Sequence, residues 1–203
     1  MPSVDELLAS GFNFYDPSKN VGNAKPEIKQ FYKGHICDVK VQEVNVRQKY
    51  KAKVYNFYVE LSDNKDRTYN VEDPDTGIKK QVDGSGFKGK KYKAQGVFQF
   101  LMPKDGDTFQ ENSGGNEKYL HLCSSINANN EKVTVDIDGV ETEVVKFPDL
   151  ESSDLNGKPI DVVLDEVKWK NREGNWITSL NVKGFRAWED GTPRDFEAED
   201  LPF

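Results

Sequence analysis

The 203 residues carry a net charge of −7, 35% hydrophobic residues and a mean hydropathy of −0.77, with aromatics at 11%. This suits one substantial domain with a modest core rather than two domains, and it is too aromatic for a wholly disordered chain. No stretch approaches the roughly 18 apolar residues of a membrane span. Met1–Ser10 lacks the basic and apolar regions of a signal peptide, and two cysteines give no disulfide framework. The expected location is the cytoplasm of a bacterium or of an infected host cell.

Residues 1–26 read as an N-terminal lead-in, with turn chemistry at Asp16-Pro17-Ser18 and Gly22-Asn23. The domain proper is expected over 27–188. Phe31 to Val46 alternates as a strand, placing His35, Cys37, Val39 and Val41 on one face. Lys51 to Leu61 predicts a second strand, rich in Val, Tyr and Phe. Ser62 to Gly89 is polar and reads as a long loop or a hairpin excursion. A third strand is expected over Lys90 to Met102. A loop follows over Pro103 to Glu117, then a short strand over Lys118 to Ser124. Asp138-Gly139 marks a two-residue hairpin turn within Lys132 to Phe147. The clearest hairpin joins Lys158–Lys170 to Asn175–Trp188 through Asn171-Arg172-Glu173-Gly174. After Trp188 the run Asp190-Gly191-Thr192-Pro193 is expected to end the ordered domain. Short strands with long polar insertions predict a mainly β fold, a small barrel or sandwich, with an OB-like five-stranded barrel fitting about as well as any alternative.

Charge is unevenly spread. Lys29 to Phe100 holds fifteen Lys and Arg against nine Asp and Glu, whereas Trp188 to Phe203 holds six acids and one Arg. The segment 189–203 is therefore expected to be a disordered acidic tail. It ends in Glu199, Asp200, Leu201, Pro202 and Phe203, placing apolar residues beside a free carboxylate and acids. Such an end suits capture in a partner's pocket, with Phe203 as anchor and basic groups around it. This ending resembles the tip of bacterial single-stranded-DNA-binding proteins, and phage proteins of that kind also carry acidic tails. The resemblance covers about nine residues. It implies an OB fold, sequence-tolerant binding of single-stranded DNA in replication, recombination and repair, and recruitment of partner proteins by the tip.

Binding of single strands without sequence choice requires cations along the phosphates and flat rings for the bases. Arg47, Lys49, Lys51 and Lys53 are spaced by two and share one strand face, which continues into Tyr55 and Phe57. The same row also suits a solvated edge strand guarded by lysines. Phe87, Lys88, Lys90, Lys91, Tyr92 and Lys93 form a second cluster, either a clamp near phosphate or a solvated loop. Tyr55, Phe57, Phe98 and Phe100 suit a barrel core more readily than a platform. Tyr50, Tyr92, Trp169 and Trp176 are the better stacking candidates, and the two tryptophans bracket one hairpin with basic residues beside them.

His35-Ile36-Cys37 and His121-Leu122-Cys123 contain every histidine and cysteine of the chain. On neighbouring strands these four side chains would suit tetrahedral zinc, but no Cys-x-x-Cys knuckle is present and core packing is the favoured account of them. No nucleotide-binding glycine loop or nucleophile elbow occurs, and scattered acid pairs such as Asp161 with Asp165 and Glu166 carry little specificity. The chain therefore reads as a binding protein rather than an enzyme. The alternative is a non-enzymatic β-sandwich module that binds glycan or serves as a virion component.

Overall fold

The computed structural model describes residues 14–15, 30–48, 50–72, 79–100, 108–128 and 131–196. Five strands close into a barrel: β2 (Phe31–Val46), β3 (Tyr50–Leu61), β6 (Lys91–Phe100), β9 (Pro159–Lys170) and β10 (Trp176–Arg186). Around the barrel the order is β2-β3-β6-β10-β9 and back to β2. All neighbours are antiparallel except β6 and β10, which run parallel through Asn181↔Lys93 and Val182↔Ala94. This is an OB-like small barrel, as expected. Closure leaves no open sheet edge in the barrel itself. Among the described residues no helix is long and apolar enough to cross a membrane.

Two hairpin arms extend from the barrel. The β2–β3 arm turns at Arg47 and Gln48, which both adopt positive φ, and the β9–β10 arm turns at Asn171–Asn175, where Gly174 has φ 84°. The polar stretch after β3 is a hairpin excursion, β4 (Asn64–Glu72) with β5 (Lys79–Gly84), followed by a single 3₁₀ turn at Ser85–Phe87. It is fixed to the barrel by Tyr69, stacked on Tyr32 at 4.4 Å, with Phe87 edge-on to both rings. A fully buried carboxylate, Asp161, completes the attachment. Arg67 of β4 donates to it at 2.5 and 2.9 Å, and Arg186 donates from β10 at 2.8 Å. β7 (Glu131–Ile137) and β8 (Val140–Lys146) turn at Asp138-Gly139, where both residues have positive φ as a primed two-residue turn requires. β1 (Phe14–Tyr15) pairs with β8, so part of the lead-in is a strand.

Three expectations are corrected. First, residues expected as a loop over 103–117 and a strand over 118–124 contain a helix, α1 (Thr108–Ser125). Tyr119, Leu122, Cys123 and Ile126 are buried at helical spacing, and His121 faces solvent. Gly114-Gly115 with neighbouring Asn and Ser makes this a poor helix former locally, so packing overrides propensity. Second, β2 does not alternate cleanly. Asp38, with φ 53°, and Val39 together oppose Phe57, forming a bulge. His35 and Cys37 therefore share a face with Tyr58, while Val41 pairs with Tyr55 on the other side. Third, the run 190–193 does not leave the domain. Thr192 O lies 2.9 Å from His35 Nε2, Arg194 N donates to Gly157 O at 2.9 Å, and Arg194 pairs with Glu60 at 2.6 Å. Residues 188–194 thus form a strap across β2 and β3.

The core has two connected parts. Ile36, Phe57, Val59, Val97, Val162 and Phe185 fill the barrel. Tyr55, Tyr119, Leu122, Phe147 and Leu150 join α1 to one end, where the Tyr55 and Tyr119 rings stack at 5.0 Å. Tyr55 Oη lies 2.9 Å from buried Gln99 Oε1, and Tyr119 Oη donates to Pro148 O at 2.6 Å. A short helix, α2 (Ser152–Leu155), adds buried Leu155 through a capping box between Glu151 and Asp154. Burial pushes the Tyr55 hydroxyl up to about 12 and Tyr119 higher still.

Candidate nucleic-acid interface

Pairing register defines which side chains share the outer face of the barrel. Cys37, Tyr58, Lys93, Asn181 and Asp165 are successive cross-strand partners from β2 to β9. Of these, Cys37 is buried, and Tyr58 and Lys93 are half-exposed. Lys93 Nζ sits 6.0 Å from the Tyr58 ring centroid, an outward aromatic with a cation beside it. Toward the arms, Lys40 opposes Asn56, and Gln95 with Gly96 opposes Asn56 from the other side. Gly96 has φ 65°, so β6 bulges there as β2 does at Asp38. The two bulges flank β3 and open a cleft of about 430 Å³, lined by Asp38, Lys40, Asn56, Tyr58, Lys93 and Gln95.

Beyond the cleft, Phe98 opposes Val54 and Phe100 opposes Ala52. The two phenylalanines stack at 5.6 Å and are half-exposed, while Val54 and Ala52 are buried. On the β9–β10 arm, Trp169 pairs with Ile177 on this same outer side, and both are exposed. Rings therefore lie on the outer face to either side of Tyr58, Phe98 toward the β2–β3 arm and Trp169 on the β9–β10 arm, with Lys93 beside Tyr58. Lys91 is held by Asp38 at 3.2 Å, which raises its pKa. Among the described residues neither Lys40 nor Lys93 has an ion-pair partner.

The sequence-predicted row divides along its length. Arg47 and Lys51 are exposed on the β2–β3 arm. Lys53 shares a face with Tyr55, as expected, but that face is the inward one. Its ammonium is committed to Asp149 at 2.6 Å and Glu151 at 3.4 Å. Burial alone would depress the Lys53 pKa, and these carboxylates outweigh it and raise the pKa. Tyr55 and Phe57 are 0% and 1% exposed and belong to the core, so neither ring is open to a base. Lys49, the Tyr50 side chain and the tip residues Glu199, Asp200, Leu201, Pro202 and Phe203 lie outside the described residues.

The second cluster also separates. Phe87 packs on Tyr32 and Tyr69, and Tyr92 opposes Val59 against the core, where burial raises its pKa. Lys88 and Lys90 are exposed beside the 3₁₀ turn, with Lys90 above the Phe87 ring at 5.3 Å. Only Lys91 and Lys93 reach the outer face. Trp176 is the most exposed tryptophan, at 69%, with Lys170 Nζ 5.2 Å from its ring, but strand parity puts it on the opposite side of the arm from Trp169.

The His and Cys residues are not gathered. His35 has both ring nitrogens engaged, at 2.9 Å to Ser62 Oγ and 2.9 Å to Thr192 O. Cys37 and Cys123 are buried thiols, on β2 and α1, and His121 is exposed on the helix beside Glu117. In a helix, residues two apart point to nearly opposite sides, so His121 and Cys123 diverge. Among the described residues no group of three or more His, Cys, Asp or Glu is placed to hold a metal.

Sequence reasoning missed Tyr58, Lys40, Asn56 and Gln95. The signal was available in strand parity: once Tyr55 and Phe57 are core, Tyr58 must face outward. The two bulges that assemble the cleft carry no such signature, since neither Asp38 nor Gly96 stands out in sequence. No family model matches the chain, and no curated protein matches it.

Proposed function

We propose that the protein binds single-stranded DNA without strong sequence choice along the outer face of β3 and β6, between the two hairpin arms. The observation that carries this reading is the outward Tyr58, with Lys93 beside it, at the centre of a face that carries Phe98 toward one arm and Trp169 on the other. In OB barrels the second and third strands and the loops joining strands 1–2 and 4–5 are where oligonucleotides and oligosaccharides are bound. Here those strands are β3 and β6, and those loops are the tips of the two arms. Rings supply stacking that any base accepts, and Lys40 and Lys93 supply phosphate contacts. Duplex DNA offers no unstacked bases to such a face.

The acidic C-terminal segment extends this reading. Protection of exposed strands during replication, recombination and repair requires hand-over to other proteins, and Asp200 to Phe203 suit capture by a partner with a basic-rimmed apolar pocket. The test of the binding face is the affinity of Tyr58→Ala for oligo(dT). Loss of one stacked base weakens binding by about 1–3 kcal/mol. Unchanged affinity in a folded variant would remove Tyr58, and with it this face, from the interface.

A further inference from the structure

The cleft between the bulges has more specific chemistry than a stacking platform needs. Asp38 lines it from a left-handed backbone position, and its carboxylate is 3.2 Å from Lys91 Nζ. Lys40 and Lys93 line the same cleft, with Tyr58 as the aromatic wall and the amides of Asn56 and Gln95 at its side. A carboxylate repels phosphate, so its acceptor oxygens suit a ligand edge that carries N–H donors. At about 430 Å³ the cleft lies within the usual range for small-molecule sites, here one nucleotide of a strand.

Among the four bases of an unpaired strand, guanine alone presents two adjacent donors, N1–H and N2–H, beside an acceptor, O6. A carboxylate accepts both donors, and a neighbouring ammonium donates to O6. Cytosine and adenine each offer one amino group flanked by a ring acceptor that a carboxylate repels. Thymine offers one N–H between two carbonyls. We propose that the bulge cleft is a guanine subsite, with Asp38 reading the donor edge, lysine meeting O6 and Tyr58 stacking the ring. Resting on the single-strand reading above, it adds a preference for guanine at one position to otherwise sequence-tolerant binding.

The test is fluorescence anisotropy at fixed salt with labelled dT oligomers carrying guanine, hypoxanthine or adenine at every third position, and with plain oligo(dT). Hypoxanthine lacks only the 2-amino group of guanine. The full-length protein is expected to bind the guanine oligomer about tenfold more tightly than the adenine one, with most of that gain lost for hypoxanthine. Asp38→Asn keeps a residue that tolerates positive φ. It is expected to bind the guanine, hypoxanthine and adenine oligomers alike. Equal binding of the guanine, hypoxanthine and adenine oligomers by the parent, with oligo(dT) still bound, overturns the guanine subsite and leaves the single-strand reading standing. Failure to bind any oligomer overturns both. Displacement by free dGMP, without preference among the oligomers, makes the cleft a mononucleotide site and overturns its role in reading a strand.

Discussion

Tyr55 and Tyr58 lie three residues apart and have opposite roles. Tyr55 is sealed against Tyr119 with its hydroxyl beside Gln99 and the Leu150 carbonyl, and Tyr58 looks out beside Lys93. Tyr55→Phe is therefore expected to cost about 1–2 kcal/mol of stability in urea denaturation and to leave oligo(dT) affinity unchanged. Lys93→Ala is expected to weaken binding and to reduce the slope of log affinity against log salt by about 1, as loss of one phosphate contact does. A loss of affinity with no change of slope would mean that Lys93 does not meet phosphate. His35 gives a pH dependence. Burial, with Arg194 adding to it, lowers the imidazole pKa below its ordinary 6.5, against the opposing pull of the Thr192 carbonyl and Glu60. The folded state then binds a proton less readily than the unfolded state, so stability is full above pH 6.5 and falls as pH drops below it. Thermal melts at pH 7.5 and 5.5 are expected to show this loss, and His35→Gln, which has no titrating ring, is expected to flatten it.

At the scale of elements, hairpins were the most legible feature of the sequence. The β7–β8 and β9–β10 turns carry Asp-Gly and Glu-Gly chemistry at fixed positions, and the alternation of β3 is strong. What escaped is what local chemistry does not encode. The helix α1 is built from glycine-rich, polar sequence and exists because Tyr119, Leu122 and Cys123 meet Tyr55 and Phe147. The lysine row failed as a binding face because strand parity ties Lys53 to two core rings, and distant Asp149 neutralises it. Attachment of the β4–β5 hairpin depends on residues nearly a hundred positions apart. Asp161→Ala leaves two partly exposed arginines without their buried carboxylate, and is expected to cost about 1–3 kcal/mol in chemical denaturation. The strap also has a steric lock. Gly157 has φ 80°, and a Cβ there would overlap the Arg194 carbonyl oxygen. Gly157→Ala is expected to destabilise the fold by roughly 1–3 kcal/mol or more, from backbone strain plus overlap.

For the whole molecule, the distribution of charge matters more than its sum. A net charge of −7 argues against DNA, yet the acids concentrate at the C-terminal end and the outer face carries Lys40, Lys91 and Lys93. The strap brings the chain to Glu60 through Arg194, and Glu60 is the cross-strand partner of Lys91. The acidic segment after Arg194 therefore departs from the rim of the proposed binding face, where a recruited protein would meet the strand. Removal of residues 197–203 is expected to leave the melting temperature unchanged and to abolish capture of partners by the tip. A large drop in melting temperature would show instead that these residues support the domain. The most direct measurement of the central claim is tryptophan emission of Trp176→Phe during titration with oligo(dT), at low and high salt, with duplex DNA alongside. Trp169 then reports from the outer side of the β9–β10 arm, over a constant background from Trp188, which packs against His35 in the strap. Quenching by oligo(dT) alone, weakened steeply by salt, is the expected result. No quenching and no change in mobility at low salt would contradict the claim that this face binds single-stranded DNA.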